Sequence, residues 1–246
     1  MKTLKRLAFM VTGLLMTTSL FNSCSDDDNY DLRYPNALVT AKTAADQTFY
    51  LQLDDSTTLL PQNITRSPYG GKEVRALVNY SNVAGEAAPY NQLININWID
   101  SILTKPTMPN RFGQNDSVYG NDPVEIVNDW VTVAEDGYLT LRFRTLWGYG
   151  QRPHSVNLLI NQKGGDPYEL EFRHNANGDY MDHRADALVA FNLKDLPDTQ
   201  GKTVKLKLKW NSFSGPKSAE FKYKTGEAVK GKLIQGNEHD FNRSMN

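Results

Sequence analysis

The chain has 246 residues, a formal net charge of −1, 22% charged side chains and a single cysteine. Nucleic-acid binders carry a basic surplus that displaces counterions, so this balance of charge argues against a nucleic-acid partner. One cysteine excludes an internal disulfide, and the length predicts one or two domains with cores of useful size.

Residues 1–23 have the features of a signal peptide. Three basic side chains within the first six residues precede an apolar run at residues 7–16, and small or polar residues follow it up to Ser23. An apolar run of about ten residues is too short for a bilayer-spanning helix, which needs about twenty. We therefore predict a lipoprotein signal peptide at residues 1–23, which takes no part in the mature fold.

The single cysteine, Cys24, directly follows this segment. Residues 20–23 read LFNS and resemble a bacterial lipobox in a loose form, with Phe21 and Asn22 where smaller or aliphatic residues are more usual. A free thiol or an intermolecular disulfide is the alternative for a lone cysteine. Because Cys24 stands at the cleavage point, we predict that it is lipidated. Several acyl chains, with about 0.8 kcal/mol for each buried methylene, would then tether the protein to a membrane.

A short acidic run, Ser25, Asp26, Asp27 and Asp28, follows the cysteine. Such runs usually form a solvated tether, which we assign to residues 24–35. The run also resembles the export signal that sends lipoproteins of Gram-negative gut anaerobes to the outer face of the outer membrane. We therefore predict an outer-membrane location, with the fold facing the cell exterior. Without residues 1–23, which hold three basic side chains and no acidic ones, the formal charge is −4.

The first half of the mature chain predicts a small β-barrel. Apolar and polar side chains alternate in short segments, so that Phe49, Leu51 and Leu53 share one face. We predict strands at residues 37–43, 48–53, 72–80, 92–98 and 99–103. Five strands of this size suit a barrel of the OB type, which we place at residues 36–106.

Residues 107–122 are predicted to link two domains, because this part of the chain is rich in Pro, Gly, Asn and Asp and has no hydrophobic periodicity. Asp116-Ser117-Val118 resembles the sites at which these bacteria O-glycosylate exported proteins. The same pattern occurs around Ser56 and Ser101. We predict Ser117 as the modified residue, since a linker is the most accessible of the three places.

The second half of the chain predicts a β-sandwich. Asp136-Gly137 lies between two alternating runs, which is a strong signal for a two-residue hairpin. We predict strands at residues 125–134, 138–147, 155–161, 168–173, 188–193, 204–210 and 219–223. Seven short strands with regular turns favour a sandwich, which we place at residues 123–236, followed by a polar tail at residues 237–246.

Several phrases of the sequence resemble the NigD-like lipoproteins of Gram-negative gut anaerobes. They are RALVNY at 75–80, INWIDSIL at 96–103, DPVEIV at 122–127, EDGYLTL at 135–141 and NANGD at 175–179. The resemblance extends from about Arg33 to about Leu233. It implies an all-β fold, with an N-terminal OB-type domain and a C-terminal β-sandwich. It implies no catalytic residues, because no activity is established for the family.

Residues 173–183, RHNANGDYMDH, hold the densest cluster of metal-ligand types. A calcium loop of the EF-hand type would need acidic residues at the positions of Arg173 and Arg184, so that interpretation fails. A transition-metal site stays open, although the spacing matches no zinc pattern. Asn177-Gly178 between two strands favours a turn, and we predict no metal and no cofactor.

Residues 146–154, LWGYGQRPH, are the second candidate site. Trp147 shares a face with Leu141 and Phe143, and we expect it to be in the core. Tyr149, Arg152 and His154 are the predicted ligand-binding residues, because an aromatic ring beside Arg and His on a glycine-hinged loop can stack on a sugar or peptide and bond its rim.

A row of lysines, Lys202, Lys205, Lys207 and Lys209, alternates or nearly alternates with apolar residues. A basic stripe of this kind can meet a polyanion such as lipopolysaccharide phosphate. The simpler interpretation, which we favour, is a half-buried strand whose outer lysines keep it soluble.

The sequence contains no G-x-S-x-G, H-E-x-x-H or Walker motif. We therefore predict a non-catalytic binding or envelope-interaction module, whose partner is a glycan or an envelope protein. Two alternatives stay open: a glycan-active enzyme without a recognisable motif, and a protein resembling bacteriocin immunity proteins.

Overall fold

The computed structural model describes residues 32–148, 152–161, 164–179 and 183–225. Cys24, the acidic run at residues 25–28 and Tyr149 therefore lie outside the described residues. The strands and the one short helix of this part are β1 Ala37–Thr43, β2 Phe49–Gln52, β3 Thr58–Pro61, β4 Val74–Val83, β5 Gln92–Ser101, β6 Leu103–Pro106, β7 Met108–Pro109, α1 Asn115–Tyr119, β8 Glu125–Val127, β9 Val133–Glu135, β10 Tyr138–Trp147, β11 Ser155–Ile160, β12 Glu169–Asn175, β13 His183–Asn192, β14 Val204–Ser212 and β15 Gly215–Tyr223. Among the described residues, no helix is long and apolar enough to cross a membrane.

The first five strands form a closed barrel in the order β1-β2-β3-β5-β4. Only β3 and β5 pair in parallel, and the other neighbours are antiparallel. Alternate side chains point inward and fill the barrel, among them Phe49, Leu51, Leu59 and Ile94, all at most 1% exposed. The predicted barrel of the OB type is confirmed.

Two details of the barrel differ from the predicted strands. The segment at residues 58–61 forms β3, which was not predicted because four residues are too few to show a pattern. Residues 92–101 form one strand, where two were predicted. The register shifts at this place, since Asn79 pairs with Trp98 and Tyr80 with Ile96. Asn97 is thus an extra residue in a β-bulge, and it interrupts the alternation of side chains.

The remaining strands form a sandwich of two sheets. One sheet has the order β6-β13-β10-β8, with β9 also paired to β10, and the other has the order β15-β14-β12-β11-β7. Their inner faces bury a single cluster that includes Leu141, Phe143, Phe172, Phe191 and Leu208. This confirms the predicted sandwich.

The predicted strand at residues 125–134 is interrupted. Strands β8 and β9 both pair with β10, but residues 128–132 leave the sheet between them. A local turn holds this excursion, because the amide of Thr132 donates to the carbonyl of Asp129 and its hydroxyl donates to the carbonyl of Val127. The Asp136-Gly137 hairpin is present, with φ of 47° and 75° at the two residues and Glu135 opposite Tyr138.

The passage from barrel to sandwich is short. Buried Ile102 separates β5 from β6, and β6 pairs in parallel with β13 of the sandwich. Residues 103–106, which the sequence analysis placed in the barrel, thus belong to a sandwich sheet. Strand β7 pairs with β11 of the opposite sheet, so the segment predicted as a linker crosses between the two sheets.

A buried arginine joins the two domains. Arg75 of β4 is 0% exposed, and its Nη2 lies 2.6 Å from Oε1 of Glu135 in the sandwich. Its Nη1 donates to Thr40 of the barrel at 3.0 Å, and its Nε donates to Thr140 of the sandwich at 3.3 Å. An apolar cluster surrounds this junction, with Leu38, Ile102, Val131, Tyr138 and Ala190 at its centre. The barrel and the sandwich are therefore docked through both apolar packing and a hydrogen-bonded charge.

Candidate functional site

The predicted ligand-binding residue His154 lies at one end of the sandwich, directly before β11. Its side chain is 3% exposed and stacks on Trp147, with ring centroids 3.9 Å apart and an angle of 15° between the ring planes. Trp147 is half-buried, and its indole N–H donates to the carbonyl of Ala185 on β13. Trp147 thus covers His154 at this end of the fold.

His154 belongs to a buried chain of hydrogen bonds. Its Nδ1 lies 2.9 Å from Nε2 of His174 on β12, and its Nε2 lies 2.9 Å from the carbonyl oxygen of Asp179. A carbonyl only accepts, so Nε2 of His154 carries the proton in the neutral pair and Nδ1 is the acceptor. His174 must then donate through Nε2. Its Nδ1 is buried without a partner among the described residues, in agreement with an unprotonated nitrogen.

The environment of His174 keeps its own imidazole neutral. Burial, together with the adjacent His154, lowers the pKa of His174 to about 4. In the described part of the chain, no group of three or more His, Cys, Asp or Glu residues could hold a metal ion. The two imidazoles link β12 to the residue directly before β11. Because the side chain of His154 is only 3% exposed, a ligand at this loop would contact other side chains first.

Arg152 lies on the surface of the same end. Its Nη1 donates to the carbonyl of Asn177 at 3.2 Å, which connects it to the turn at Asn177-Gly178. The positive φ angles of these two residues, 52° and 82°, confirm the turn predicted there. Arg152 is exposed, whereas the side chain of His154 is buried. The two predicted residues are neighbours in the sequence but do not share a surface. Ligand binding by Tyr149, Arg152 and His154 stays a prediction.

The predicted modification site Ser117 lies on the short helix α1. Its side chain is exposed, and its hydroxyl donates to the carbonyl of Gln114 at 2.9 Å. O-glycosylation at Ser117 stays a prediction.

A groove of about 420 Å³ lies on the outer face of the sandwich. The strands β12, β14 and β15 run side by side here, and their register places Glu171, Lys209 and Ser218 in one row across the sheet. Arg173, Lys207 and Lys217 also line the groove. Because these side chains stand on paired strands, the sheet fixes their spacing.

The segment after α1 borders the groove through Asn121, and α1 itself contacts Arg173. Asp116 of α1 lies 2.6 Å from Nη1 of Arg173, and Glu171 lies 2.7 Å from Nη2. Gly120 approaches β12 so closely that a Cβ atom there would lie 2.6 Å from the carbonyl oxygen of His174. Arg173 is consequently only 9% exposed, although it is on the outer face, and Asn121 borders the groove.

The lysines of the groove are half-exposed and bound to acidic residues at its margin. Lys207 and Lys209 both contact the carboxylate of Glu169, and Lys217 lies 2.8 Å from Glu125 of the opposite sheet. The hydrogen bond from Lys209 lowers the pKa of Glu169 below its usual value. Strand β14 has the predicted alternation, with its leucines and Trp210 buried and its lysines outside.

From the sequence, Lys207 and Lys209 were interpreted as the outer side chains of a half-buried strand, with polyanion contact as the less favoured alternative. They were not connected with Arg173 or Lys217. The alternation on β14 was visible, but the pairing of β14 with β12 and β15 was not. The parallel pairing of β12 with β14 joins segments about forty residues apart, which no local pattern predicts.

Comparison with known proteins agrees with the two-domain fold. Residues 38–102 match the NigD-like N-terminal OB domain, and residues 107–223 match the NigD-like C-terminal beta sandwich domain. No curated protein matches the chain.

Three solved structures illustrate the range of similarity. A protein of Parabacteroides distasonis ATCC 8503 that is named as toxin-related has 38% identity and a TM-score of 0.66, with 79% of this chain and 93% of that chain covered. A protein of unknown function from Bacteroides vulgatus ATCC 8482 has 23% identity and a TM-score of 0.59, with coverage of 80% and 94%. A NigD-like immunity protein of Bacteroides caccae ATCC 43185 has 19% identity and a TM-score of 0.56, with coverage of 77% and 97%. Both domain matches and the 38% identical relative show that the chain belongs to the NigD-like family.

Proposed function

We propose that this protein is a lipid-anchored, non-catalytic binding module displayed on the exterior of the outer membrane. The observation that carries the proposal is the groove on the outer face of β12, β14 and β15. Its volume of about 420 Å³ falls within the range of small-molecule sites, about 300 to 1,000 Å³. The groove presents charged and polar side chains from a rigid sheet, which suits recognition of a polar ligand.

The chemistry of the groove favours binding over glycoside hydrolysis. A glycosidase needs one carboxylic acid with a raised pKa that donates a proton to the leaving group. The pKa of Glu169 at the margin is lowered by Lys209, and Glu171 is held by Arg173. Glu169 is thus stabilised as a charged acceptor, and Glu171 is an ion-pair partner of Arg173, which are the roles expected of residues that position cations.

The anchor rests on the sequence around Cys24. Lipidation at Cys24 would leave about 13 residues before β1, which begins at Ala37, and such a segment reaches at most about 45 Å. This length lets the fold stand away from a membrane surface. Mass spectrometry of the N-terminal peptide should find acyl chains on Cys24, and an unmodified cysteine would overturn the anchor.

A second function is suggested by the names of similar proteins. The 38% identical relative is named as toxin-related, and a more distant one is named as an immunity protein. An immunity-like role would make the partner a co-expressed bacteriocin. A toxin gene and its exporter beside the gene for this chain would favour this role, whereas a glycan-uptake cluster would favour the binding module.

Filling the groove tests the binding site directly. Ser218 is exposed in the groove, and Ser101 is exposed at the end of β5. The Ser218→Trp variant should lose at least tenfold of its signal on an array of glycans and envelope components, because the indole occupies the ligand volume. The Ser101→Trp variant adds the same side chain elsewhere and should bind like the unsubstituted protein. Equal binding by all three proteins would overturn the groove as the binding site.

A further inference from the structure

We infer that the groove recognises a soluble polyanion through its phosphate, sulfate or carboxylate groups, an inference that rests on the proposed function. Four cationic side chains line the groove, from Arg173, Lys207, Lys209 and Lys217, against one acidic side chain, from Glu171. The chain as a whole has a formal charge of −1. Three further carboxylates, from Asp116, Glu169 and Glu125, pair with these cations. The groove thus gathers cationic side chains in one concave place, where the oxygens of an anion can replace these carboxylate partners.

The cations fall into a fixed and a movable set. Arg173 is fixed, since Asp116 and Glu171 hold its guanidinium and its side chain is 10% exposed. The side chains of Lys207, Lys209 and Lys217 are 40%, 45% and 43% exposed. Exposed ion pairs contribute little to stability, so these ammonium groups can exchange a margin carboxylate for a ligand oxygen at low cost.

The two lysines of β14 are the centre of the predicted contact. Lys207 and Lys209 share one ion-pair partner, the carboxylate of Glu169. An oxyanion placed between the two ammonium groups would give them a second acceptor. Ammonium and guanidinium groups donate hydrogen bonds and cannot accept them, which selects a ligand rich in acceptor oxygens. Because lysine acts as a compact point charge, we expect recognition of charge and spacing more than of one planar group.

The same sheet provides a matched control. Lys205 and Lys222 lie directly opposite each other on β14 and β15, and both are exposed on the same outer face. Neither lines the groove. The double variants Lys207→Gln/Lys209→Gln and Lys205→Gln/Lys222→Gln therefore remove the same charge from neighbouring places on one sheet.

The experiment measures binding of the full mature chain to dextran sulfate by isothermal titration calorimetry, with uncharged dextran as the reference polymer. The unsubstituted protein should bind dextran sulfate, with an affinity that falls as salt is added, and should not bind dextran. Affinity should fall at least tenfold in Lys207→Gln/Lys209→Gln and less than twofold in Lys205→Gln/Lys222→Gln. The Lys207→Arg/Lys209→Arg variant keeps both charges and should retain affinity, which separates charge recognition from a loss of folding.

Two results would overturn the inference: equal losses of affinity in the two glutamine variants, or no binding of dextran sulfate by the unsubstituted protein. Failure here is distinguishable from failure of the proposed function. If Ser218→Trp abolishes array binding and Lys207→Gln/Lys209→Gln leaves it unchanged, the groove remains the binding site and only the ligand class is wrong.

Discussion

The imidazoles of His154 and His174 face each other in a place where only one proton arrangement satisfies the carbonyl of Asp179. Sequence analysis identified His154 as a residue of interest, because it follows a Gly-rich loop with aromatic residues. It could not foresee the burial of His154, since the Trp147 ring that covers it and the His174 ring that bonds it come from two other strands. Without knowledge of these neighbouring rings, a histidine at the end of a strand indicates a ligand site only weakly.

The buried His174 predicts a dependence of stability on pH. Its pKa is about 4 in the fold and about 6.5 in the unfolded chain, so between these values only the unfolded chain binds the proton. The contribution of neutral His174 to the free energy of unfolding is therefore fully present above about pH 6.5. This contribution falls by about 3 kcal/mol as the pH drops to 4. Urea unfolding at several pH values should show a shallower loss over this range in His174→Gln than in the unsubstituted chain. The same pH dependence in His174→Gln would contradict this assignment.

Among the elements, long strands were predictable and interruptions were not. Strand β1 has the predicted bounds, and β10 matches its prediction over residues 138–147. Alternation of side chains is a local property, and it survives wherever a strand is regular. The bulge at Asn97 and the excursion at residues 128–132 depend on which strand lies alongside, so the sequence predicted a break in the first case and continuity in the second.

Two glycines with similar φ angles test how the segment after α1 is held. Gly120 and Gly137 have φ of 81° and 75°. A Cβ atom at Gly137 would meet nothing within 4 Å, but at Gly120 it would lie 2.5 Å from Cβ of Asn175. Gly137→Ala should cost about 1 kcal/mol of unfolding free energy, from backbone strain alone. Gly120→Ala should cost at least about 2 kcal/mol more by urea unfolding, because α1 must move away from β12 and because the ψ of 172° at Gly120 suits glycine alone. Equal costs would show that the approach of Gly120 to β12 contributes nothing.

For the whole molecule, the order of a barrel followed by a sandwich was predictable from the number and spacing of strand patterns and from the family resemblance. The docking of the two domains was not. Arg75 bonds residues that lie 35, 60 and 65 positions away in the sequence. An arginine within an apolar strand pattern indicates an unusual place, but it does not identify its partner.

Replacing Arg75 tests whether the two domains unfold together. In Arg75→Met the carboxylate of Glu135, whose pKa burial already raises, loses its counterion. Breaking a buried pair in this way costs about 3 to 5 kcal/mol. Calorimetry should show a lower unfolding temperature and a separation into two transitions. Arg66→Met, at an exposed position, should change the free energy by less than about 0.5 kcal/mol. An unchanged single transition in Arg75→Met would show that this charge does not hold the domains together.

Labelling of one introduced thiol tests the display of the groove on the cell exterior. The natural sequence has a single cysteine, Cys24, and Ser218 is exposed in the groove. Cells that produce the Ser218→Cys variant are treated with a membrane-impermeant maleimide, before and after the outer membrane is permeabilised. Equal labelling in intact and permeabilised cells is the predicted result. The unsubstituted chain should not be labelled, because the proposed lipidation would place the sulfur of Cys24 in a thioether. Labelling of Ser218→Cys only after permeabilisation would contradict the account.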